Sequence, residues 1–345
     1  MTRNKKKILC IRLDKFGDLI CTLPVDQVLD PQHYQVTWII QKGLGSLVQA
    51  GELNRRYLEI DKNNKKESIQ ILSQLLDSEI FDYAVSFQCP WWIHFLLFKK
   101  QIPKRIGVLS KWHSFLFLNQ GIRQKRSESL MHEFEYNLKL IEKITGPLNL
   151  DPKKIYFKLR KPTAPIAVNK FNLPTNYIVI HPGMMGSALN ISQEKYIDLI
   201  DELIKLNKKC VITGTDADTP YLYQIKNKWL QNDNWKKYVY FLQSQLNLTE
   251  LIEVLYFSEL VVAPSTGVAH MAASLDKKII GIYSPVTVHR PTRWSPKGPH
   301  VNLIFPELNC PAKFECQKQI CPHYNCMEKL DLINVIQAHL QNSYL

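Results

Sequence analysis

The 345-residue sequence contains no apolar run that approaches the roughly 18 to 20 residues needed to cross a bilayer. Its basic first residues, 1–7, lead into an apolar stretch that is too short for a signal peptide. These two absences predict a protein that stays in the cytoplasm. With 45% hydrophobic and 22% charged residues, a chain of this length is expected to form two domains of about 150 residues, each with its own core.

Acidic residues are missing from one long segment. None lies between Asp82 and Glu128, whereas eight Lys and Arg residues do. Residues 1–170 carry 28 Lys and Arg against 16 Asp and Glu, and the rest of the chain is close to neutral. A basic face of this kind indicates an anionic partner, either nucleic acid, anionic lipid headgroups or a phosphorylated acceptor. A solvated surface without a partner is the alternative.

The same window contains a strongly apolar segment, PWWIHFLLF, at residues 90–98, and Lys99 and Lys100 follow it directly. Its length of about two and a half helical turns favours a core helix between two strands. The other interpretation is an aromatic helix with a cationic rim that rests on a membrane surface.

The sequence also lacks the C-x2-C pairs of the usual zinc ribbons. Four of the eight cysteines cluster near the end with C-x5-C-x4-C-x4-C spacing, and His323 lies among them. They are Cys310, Cys316, Cys321 and Cys326. Disulfides are not expected in a reducing compartment, so reduced or redox-labile thiols are the favoured interpretation and a structural metal site is the alternative.

Strand and helix patterns alternate along the whole chain, which predicts an α/β fold with doubly wound parallel sheets. Strands are predicted at residues 8–13, 36–40, 83–87, 105–108, 177–180, 210–213, 260–263 and 278–282. Helices are predicted at residues 19–29, 67–76, 132–144, 193–206, 249–256, 268–275 and 330–340.

A proline-rich segment at residues 161–174 suggests a linker between two Rossmann-like domains, residues 1–160 and 175–328. The last segment, 329–345, is expected to form a helix that packs back on the first domain. Two open sheets that face each other would hold a ligand in the cleft between the carboxyl ends of their strands.

The first two candidate loops follow predicted strands. In the first, residues 12–18, Asp18 sits at a helix start, where it either caps the helix or acts as a general base facing the cleft. In the second, HPGMMGS, Gly183 and Gly186 permit close backbone approach, and Ser187 offers a hydroxyl to an anion. This second loop matches neither G-x-G-x-x-G nor a P-loop.

The third candidate loop is the turn Ser265-Thr266-Gly267, where a buried strand breaks and a helix begins. Because a helix start leaves about four N–H groups without partners and carries partial positive charge, a diphosphate is a natural ligand. A capped strand–helix connection without a ligand is the alternative. The loop at residues 283–298, with Arg290 and Arg293, suits a phosphate and a stacked base.

Three of these motifs occur in the order of a known family and over nearly the whole chain. They are IRLDKFGDLICTLP, HPGMMGSALNIS, and VVAPSTGVAHMAASL followed by IIGIYSPVTVHRPTRWSPKG. Together with HEFEYNL at residues 132–138 and the terminal cysteine cluster, they resemble the ADP-heptose:lipopolysaccharide heptosyltransferases of glycosyltransferase family 9.

The resemblance implies a GT-B architecture, with two Rossmann-like domains facing a central cleft. The acceptor would bind mainly to the first domain and the nucleotide-sugar donor mainly to the second. The implied enzyme is a hexosyltransferase-type glycosyltransferase. It would move heptose from ADP-heptose to the lipopolysaccharide inner core with inversion, without a cofactor and without a metal. The absence of an Asp-x-Asp pair from the candidate loops also predicts a reaction without a metal.

The implied partners are a nucleotide sugar, a phosphorylated lipid A and core acceptor, and an anionic membrane surface. Nucleic acid is not expected as a partner, because no known nucleic-acid motif is present. The resemblance further implies a monomer that lies in the cytoplasm, peripherally at the inner face of the inner membrane.

The family's catalytic base falls on Asp18. The donor-binding set is Gly183, Gly186, Ser187, Ser265, Thr266, Gly267, His270, Arg290 and Arg293. The acceptor-binding set is Arg12, Lys15, Lys104, Arg105, Lys111 and Arg123.

Two positions depart from the well-known members of the family. Leu189 and Asn190 stand where those members have a lysine that contacts the donor phosphates, and Ser265 stands where they have an aspartate. Another nucleotide sugar or acceptor is therefore an alternative function. A second alternative is a non-catalytic nucleotide-sugar or lipid-binding module, which would tolerate the loss of Asp18.

Overall fold

The computed structural model describes residues 5–184, 186 and 188–341. The chain forms two compact units. The first comprises Met1–Arg126 with Met131–Phe157, and the second comprises Ser127–Leu130 with Lys158–Leu345. Each unit contains one six-stranded sheet. In the described part of the chain, no helix is both long enough and apolar enough to span a membrane.

The first unit is a parallel sheet with the strand order β3-β2-β1-β4-β5-β6. Its strands are β1 Lys6–Arg12, β2 Tyr34–Gln41, β3 Arg56–Ile60, β4 Tyr83–Gln88, β5 Lys104–Val108 and β6 Gln120–Ile122. Its helices are α1 Phe16–Ile20, α2 Gly45–Ala50, α3 Lys65–Ser78, α4 Trp91–Lys99, α5 Trp112–Phe117 and α6 Glu133–Thr145.

The strand order of the first sheet reverses between β1 and β4. Apolar side chains on β1, such as Leu9 and Ile11, are fully buried and belong to a core with Ile39 and Ile93. Ligands of open α/β sheets bind at the carboxyl ends of the strands where the order reverses. The loop that follows Arg12 therefore leaves the sheet at the preferred place for a site.

The second unit repeats this arrangement with the strand order β12-β11-β10-β7-β8-β9, which reverses between β7 and β10. Its strands are β7 Tyr177–Ile180, β8 Lys209–Gly214, β9 Val239–Gln243, β10 Leu260–Pro264, β11 Ile279–Ile282 and β12 Val301–Ile304. Its helices are α7 Ile166–Lys170, α8 Gln193–Lys205, α9 Thr219–Gln231, α10 Asp233–Tyr238, α11 Leu248–Phe257, α12 Gly267–Ser274, α13 Pro291–Trp294 and α14 Leu332–Gln341.

Three expectations about the elements were wrong. The helix expected at residues 19–29 is instead the short α1 followed by a 3-10 helix, Leu23–Val28, because Pro24 cannot donate the hydrogen bond that a continuous α-helix needs. The expected linker contains α7, where the N–H groups of Ala167 and Val168 bond to the buried carboxylate of Glu253. The final helix, α14, packs in the core of the second unit through three apolar side chains, Leu332, Ile336 and Leu340.

Candidate active site

The loop after β1 places two aspartates beside the buried end of that strand. Asp14 and Asp18 each keep a quarter of their side chain exposed. Lys15 is the N-cap residue of α1, whereas Asp18 lies in the first turn and bonds through its side chain to Arg12. The interpretation of Asp18 as the cap of this helix is therefore wrong.

Arg12 is buried, with 3% of its surface exposed, and holds three carboxylates at once. Its Nη2 lies 2.8 Å from Asp18 Oδ1, its Nε lies 3.0 Å from Asp14 Oδ2, and its Nη1 lies 3.3 Å from Glu133 Oε1. Arg126 adds a second cation, with Nη1 2.6 Å from the same Glu133 oxygen. Arg12 was predicted to bind the acceptor. Its burial among carboxylates corrects that prediction and makes it a residue that orients Asp18.

The environment of Asp18 changes the proton affinity of its carboxylate. Burial raises the pKa of Asp18 from its usual 3.8, the positive charge of Arg12 opposes that rise, and the charges of Asp14 and Glu133 add to it. Burial also disfavours the charge on Arg12, but its three carboxylate partners raise its pKa overall. A partly exposed carboxylate of increased basicity, fixed by a permanent cation, is suited to remove a proton from a bound hydroxyl.

Helix α6 supplies the remaining members of this network. His132 precedes the helix, and its Nδ1 accepts a hydrogen bond from Phe134 N at 3.1 Å. Glu135 makes the reciprocal hydrogen bond, because its Oε2 accepts from His132 N at 2.8 Å. This capping box fixes the start of α6 and with it the fully buried Glu133. The HEFEYNL segment therefore has a definite structural role.

A hydrogen-bond chain links the second turn of α6 to the backbone of Asp18. Asn137 accepts from Arg126 Nη2 at 3.0 Å and donates to Thr22 Oγ1 at 3.0 Å. Thr22 in turn donates to the carbonyl oxygen of Asp18 at 2.7 Å. Both the side chain and the backbone of Asp18 are thus held in place, which the sequence alone did not indicate.

The other predicted acceptor residues divide between the carboxyl ends and the amino ends of the strands in the first sheet. Lys15, Lys111 and Arg123 are exposed and follow the carboxyl ends of β1, β5 and β6. Lys104 and Arg105 begin β5, so they lie at the amino ends of the strands, whereas Asp18 follows a carboxyl end. Arg105 also donates to two backbone carbonyls, at 2.6 and 2.7 Å. Lys104 and Arg105 therefore do not lie beside Asp18, because a strand separates its two ends by its full length, and their role in acceptor binding stays a prediction.

In the second unit, His181 connects three neighbouring strands at their carboxyl ends. Its backbone N–H donates to Val262 O at 2.9 Å, and its Nδ1 lies 3.0 Å from Thr213 Oγ1. Burial lowers the pKa of His181 to about 4, although the charge of Asp218 opposes this effect. His181 is therefore neutral at pH 7, so its effect on this loop is structural and not a contribution of charge.

The turn after β10 offers groups to a ligand. Thr266 is the N-cap residue of α12, but its side chain makes no capping hydrogen bond. Its buried Oγ1 has no hydrogen-bond partner among the described residues. Because helix starts leave N–H groups unpaired and buried hydroxyls are usually bonded, the turn favours a polar, anionic ligand. Ser265 and Gly267 are partly exposed beside Thr266, whereas His270 is buried within α12.

The HPGMMGS loop is shaped by Asp218, which was not among the predicted site residues. A Cβ on Gly183 would lie 2.2 Å from Cγ of Asp218, so glycine is required here for close packing against that carboxylate. Asp218 is buried, and its Oδ2 accepts from the N–H and the hydroxyl of Thr215, at 3.0 and 2.8 Å. Gly186 has φ +71°, which favours glycine. Ser187, predicted to bind the donor, lies outside the described residues.

An Asp-x-Asp pair lies outside the three candidate loops. The loop after β8 carries Asp216-Ala217-Asp218 at the same edge of the sheet as His181. Asp216 accepts a hydrogen bond from the hydroxyl of Ser244. Within the described residues, no group of three or more His, Cys, Asp or Glu side chains is arranged to hold a metal ion. The motif was visible in the sequence, directly after a predicted strand.

The basic loop after β11 packs against the helix that Thr266 begins. A Cβ on Gly298 would lie 2.6 Å from Ala273 O, so the loop touches the backbone of α12. Within this loop, Arg290 Nε donates to Pro285 O at 3.1 Å, and the Arg293 guanidinium lies 4.6 Å from the centre of the Trp294 ring. Arg290 and Arg293 therefore belong to a loop that contacts α12, and their role in donor binding stays a prediction.

Asn190, which with Leu189 stands at the position where the resembled family has a lysine, closes the HPGMMGS loop. Its Nδ2 donates to Pro182 O at 2.8 Å, and its Oδ1 accepts from Tyr196 Oη at 3.0 Å. Leu189 packs against the core of the second unit. The two residues thus hold the loop in shape without supplying a cation.

The four clustered cysteines are free thiols that line one pocket of about 180 Å³ together with His323. Two of their sulfurs accept backbone N–H groups, Cys316 from Lys318 at 3.3 Å and Cys321 from His323 at 3.4 Å. Burial raises the pKa of the Cys326 thiol, and its three neighbouring cysteines add to the rise. The cysteines are thus close neighbours, although they do not form a preformed metal site in the described part of the chain.

Comparison with known proteins identifies the family. Residues 69–323 match Glycosyltransferase family 9 (heptosyltransferase). A protein of Haemophilus influenzae, provisionally described as a glycosyltransferase, is 27% identical over 303 residues, which cover 84% of this chain and 86% of that protein.

Two solved structures share the fold. The E. coli ADP-heptose lps heptosyltransferase II superimposes with a TM-score of 0.78 at 17% identity, covering 98% of this chain and 100% of that one. The E. coli heptosyltransferase WaaC with ADP superimposes with a TM-score of 0.65 at 16% identity, covering 97% and 99%. The chain has the two-sheet α/β fold of GT-B enzymes, and it is a glycosyltransferase that belongs to glycosyltransferase family 9.

Proposed function

We propose that the protein transfers heptose from ADP-heptose to the inner core of a lipid A-linked acceptor, with inversion at the anomeric carbon and without a metal. Family membership supports the reaction class. The donor is suggested by the relatives that share the fold, one described as an ADP-heptose lps heptosyltransferase and one solved with ADP.

The observation that carries the proposal is the environment of Asp18. In the proposed step, Asp18 takes the proton of an acceptor hydroxyl while that oxygen forms a bond to the anomeric carbon of heptose. The bond between this carbon and the diphosphate oxygen breaks, and its electron pair leaves with ADP. A positioned general base contributes about 10² to 10⁴ in rate. Exposed Lys15, Lys111 and Arg123 are proposed to hold the phosphates of the acceptor.

The second unit is proposed to bind the diphosphate of the donor. The first N–H groups of α12, the hydroxyl of Thr266 and the guanidinium groups of Arg290 and Arg293 would stabilise the charge that develops on ADP. Compared with well-known family members, the replacement of a lysine by Leu189 and Asn190 removes a cation, and Ser265 removes an anion. The charge of the site is therefore preserved, while its individual contacts differ.

A donor panel tests this proposal. The purified protein is given ADP-heptose, ADP-glucose or a UDP-sugar as donor. The acceptor is lipopolysaccharide from a strain that lacks the protein. Transfer from ADP-heptose, with the opposite anomeric configuration in the product by NMR, is the expected result. Transfer from another donor alone would assign the protein to a different branch of the family, and nucleotide binding without any transfer would make it a binding module.

The same assay tests metal independence. Activity is expected to persist in EDTA, and activity that is lost in EDTA and restored by Mg²⁺ would contradict the proposal and direct attention to Asp216 and Asp218. Mass spectrometry of lipopolysaccharide from the deletion strain identifies the acceptor, because the core will end at the sugar that the protein extends.

A further inference from the structure

Two helices of the first unit expose six large apolar side chains on one surface, called here the aromatic patch. On α4, Trp91, Phe95 and Phe98 recur at positions i, i+4 and i+7 and so share one helix face. On α5, the exposed residues are Trp112, Phe115 and Leu116. Each of the six is between 44% and 64% exposed.

The patch is continuous. The Trp91 and Trp112 rings join the two helices, with centroids 6.4 Å apart. Phe117 adds a second link, since its ring centroid lies 6.4 Å from that of Trp112, 5.5 Å from that of Phe95 and 5.6 Å from that of Phe98. Phe115 and Leu116 follow Trp112 by three and four residues and so share its helix face. Scattered apolar side chains are common on protein surfaces, but a contiguous group of this size marks an interaction site.

The opposite face of α4 explains why its sequence is apolar all round. Trp92, Ile93, Leu96 and Leu97 are buried and belong to the core of the first unit. The structure thus supports both interpretations of residues 90–98 in part, because one face of the helix packs in the core and the other is exposed. Core packing accounts for four of its seven apolar side chains, and Trp91, Phe95 and Phe98 remain exposed.

Basic side chains surround the patch and contact its rings. Lys65 Nζ lies 4.5 Å from the centre of the Trp91 ring, and the guanidinium groups of Arg105 and Arg123 lie 5.4 Å from the rings of Phe98 and Phe115. Lys99 and Lys111 are exposed beside it. Residues 83–127, which contain both helices, include no acidic residue.

We propose that the aromatic patch docks the protein on an anionic phospholipid bilayer. Aromatic rings favour the boundary between headgroups and acyl chains, and a cationic rim binds anionic headgroups. A second copy of this chain is a poorer occupant, because its own basic rim would repel the first. Trp91 and Trp112 begin helices that follow β4 and β5, so the patch starts at the carboxyl ends of the strands, where Asp18 also lies. The inference deepens the proposed function by naming the surface that meets the membrane.

Co-sedimentation of the full chain with vesicles tests the inference without donor or acceptor. We expect binding to phosphatidylcholine vesicles that contain phosphatidylglycerol, and several-fold weaker binding to phosphatidylcholine alone. The double variant Trp112→Ala/Phe115→Ala is expected to bind about tenfold more weakly. The matched control, Tyr223→Ala/Leu230→Ala, removes two equally exposed apolar side chains from the second unit and should bind as the wild type does.

Two double variants that remove positive charge separate the role of the basic rim from that of the aromatic rings. Lys65→Gln/Arg123→Gln should weaken binding to the phosphatidylglycerol vesicles and reduce its dependence on salt, whereas Lys226→Gln/Lys237→Gln in the second unit should not. Thermal unfolding of each variant confirms that it is folded, which is expected because the changed side chains are exposed.

Two results would overturn the inference. One is equal vesicle binding by the wild type and Trp112→Ala/Phe115→Ala, or no binding by either. The other is a dimer that forms without lipid and is lost in that variant, since it would assign the patch to a second copy. Vesicle binding without heptose transfer would refute the proposed function alone, and transfer to a soluble acceptor without vesicle binding would refute the docking surface alone.

Discussion

Nη2 of Arg12 lies 2.8 Å from Oδ1 of Asp18, and this ion pair joins a nearly buried cation to a carboxylate that keeps a quarter of its side chain exposed. Arg12 fixes the orientation of Asp18. Burial, together with the charges of Asp14 and Glu133, raises the pKa of Asp18 against the opposing effect of Arg12. The base of the proposed reaction thus owes its position and its basicity to the same cluster.

Arg12→Met is expected to lower the free energy of unfolding by about 3 to 5 kcal/mol, because it leaves buried carboxylates without their cation. Urea unfolding measures the change. The control is Arg56→Met, which breaks an ion pair with Glu79 of similar length, 2.8 Å, at a half-exposed arginine and should cost less than about 1 kcal/mol. Equal losses in the two variants would contradict the structural role of Arg12.

Asp14→Asn is expected to shift the acid limb of the pH profile of kcat/KM to lower pH while most of the activity is retained. The reason is that the charge of Asp14 raises the pKa of Asp18, so its removal lets Asp18 lose its proton at lower pH. The pH profile of heptose transfer measures this shift, with exposed Asp30→Asn as the unshifted control. Loss of activity in Asp14→Asn but not in Asp18→Asn would move the base to Asp14.

Thr266→Val is expected to weaken ADP binding about tenfold, because it removes a hydroxyl that is free to bond a phosphate. Its thermal stability should stay close to that of the wild type, since that hydroxyl has no partner in the described part of the chain. Calorimetric titration with ADP gives the affinity. Thr37→Val removes another buried, unpartnered hydroxyl on β2 and serves as control. Unchanged affinity in Thr266→Val would contradict the assignment of the donor turn.

Acid is expected to destabilise the first unit through two histidines beneath the aromatic patch. His94 Nδ1 lies 2.9 Å from His113 Nδ1, and burial, with a smaller effect of His113, lowers the pKa of His94 to about 4. Because His94 in the unfolded chain binds a proton near pH 6.5, stability is complete above that pH. It falls by up to about 3 kcal/mol as the pH approaches 4.

Urea unfolding between about pH 7 and pH 5 measures this loss. His94→Asn should reduce the acid sensitivity, because an amide can replace the hydrogen-bonding Nδ1 without gaining a proton. Exposed His33→Asn is the control and should keep the full sensitivity. The same pH dependence in His94→Asn and in the wild type would show that other groups cause the loss.

The eight strands predicted from the sequence are the eight inner strands of the two sheets. The four that were missed are the edge strands β3, β6, β9 and β12. An inner strand is covered on both faces and reads as an apolar run, as in Leu260–Pro264, whose five residues are all buried. The edge strand Gln120–Ile122 is only partly covered, with no fully buried residue, so its sequence carries no comparable signal. The edge strand β9 differs, because its sequence VYFLQ is mostly apolar with three buried residues, and it was missed nonetheless.

The candidate site was predictable where a residue follows a strand directly, as Asp18 and Thr266 do. It was not predictable where the fold decides which groups meet. Sequence distance does not reveal that Glu133 reaches Arg12 across 121 positions. Lys104, by contrast, directly precedes the strand predicted at residues 105–108, so its place at the amino end of that strand was predictable. Asp218 was missed because its effect depends on its packing against Gly183, a contact between two different loops.

The most direct test of the account is the turnover of Asp18→Asn with ADP-heptose and the lipopolysaccharide acceptor. The amide keeps the size of the side chain but cannot take the proton, so kcat should fall by about 10² to 10⁴ while the affinity for ADP stays unchanged. A variant that transfers heptose at nearly the rate of the wild type would show that Asp18 is not the base.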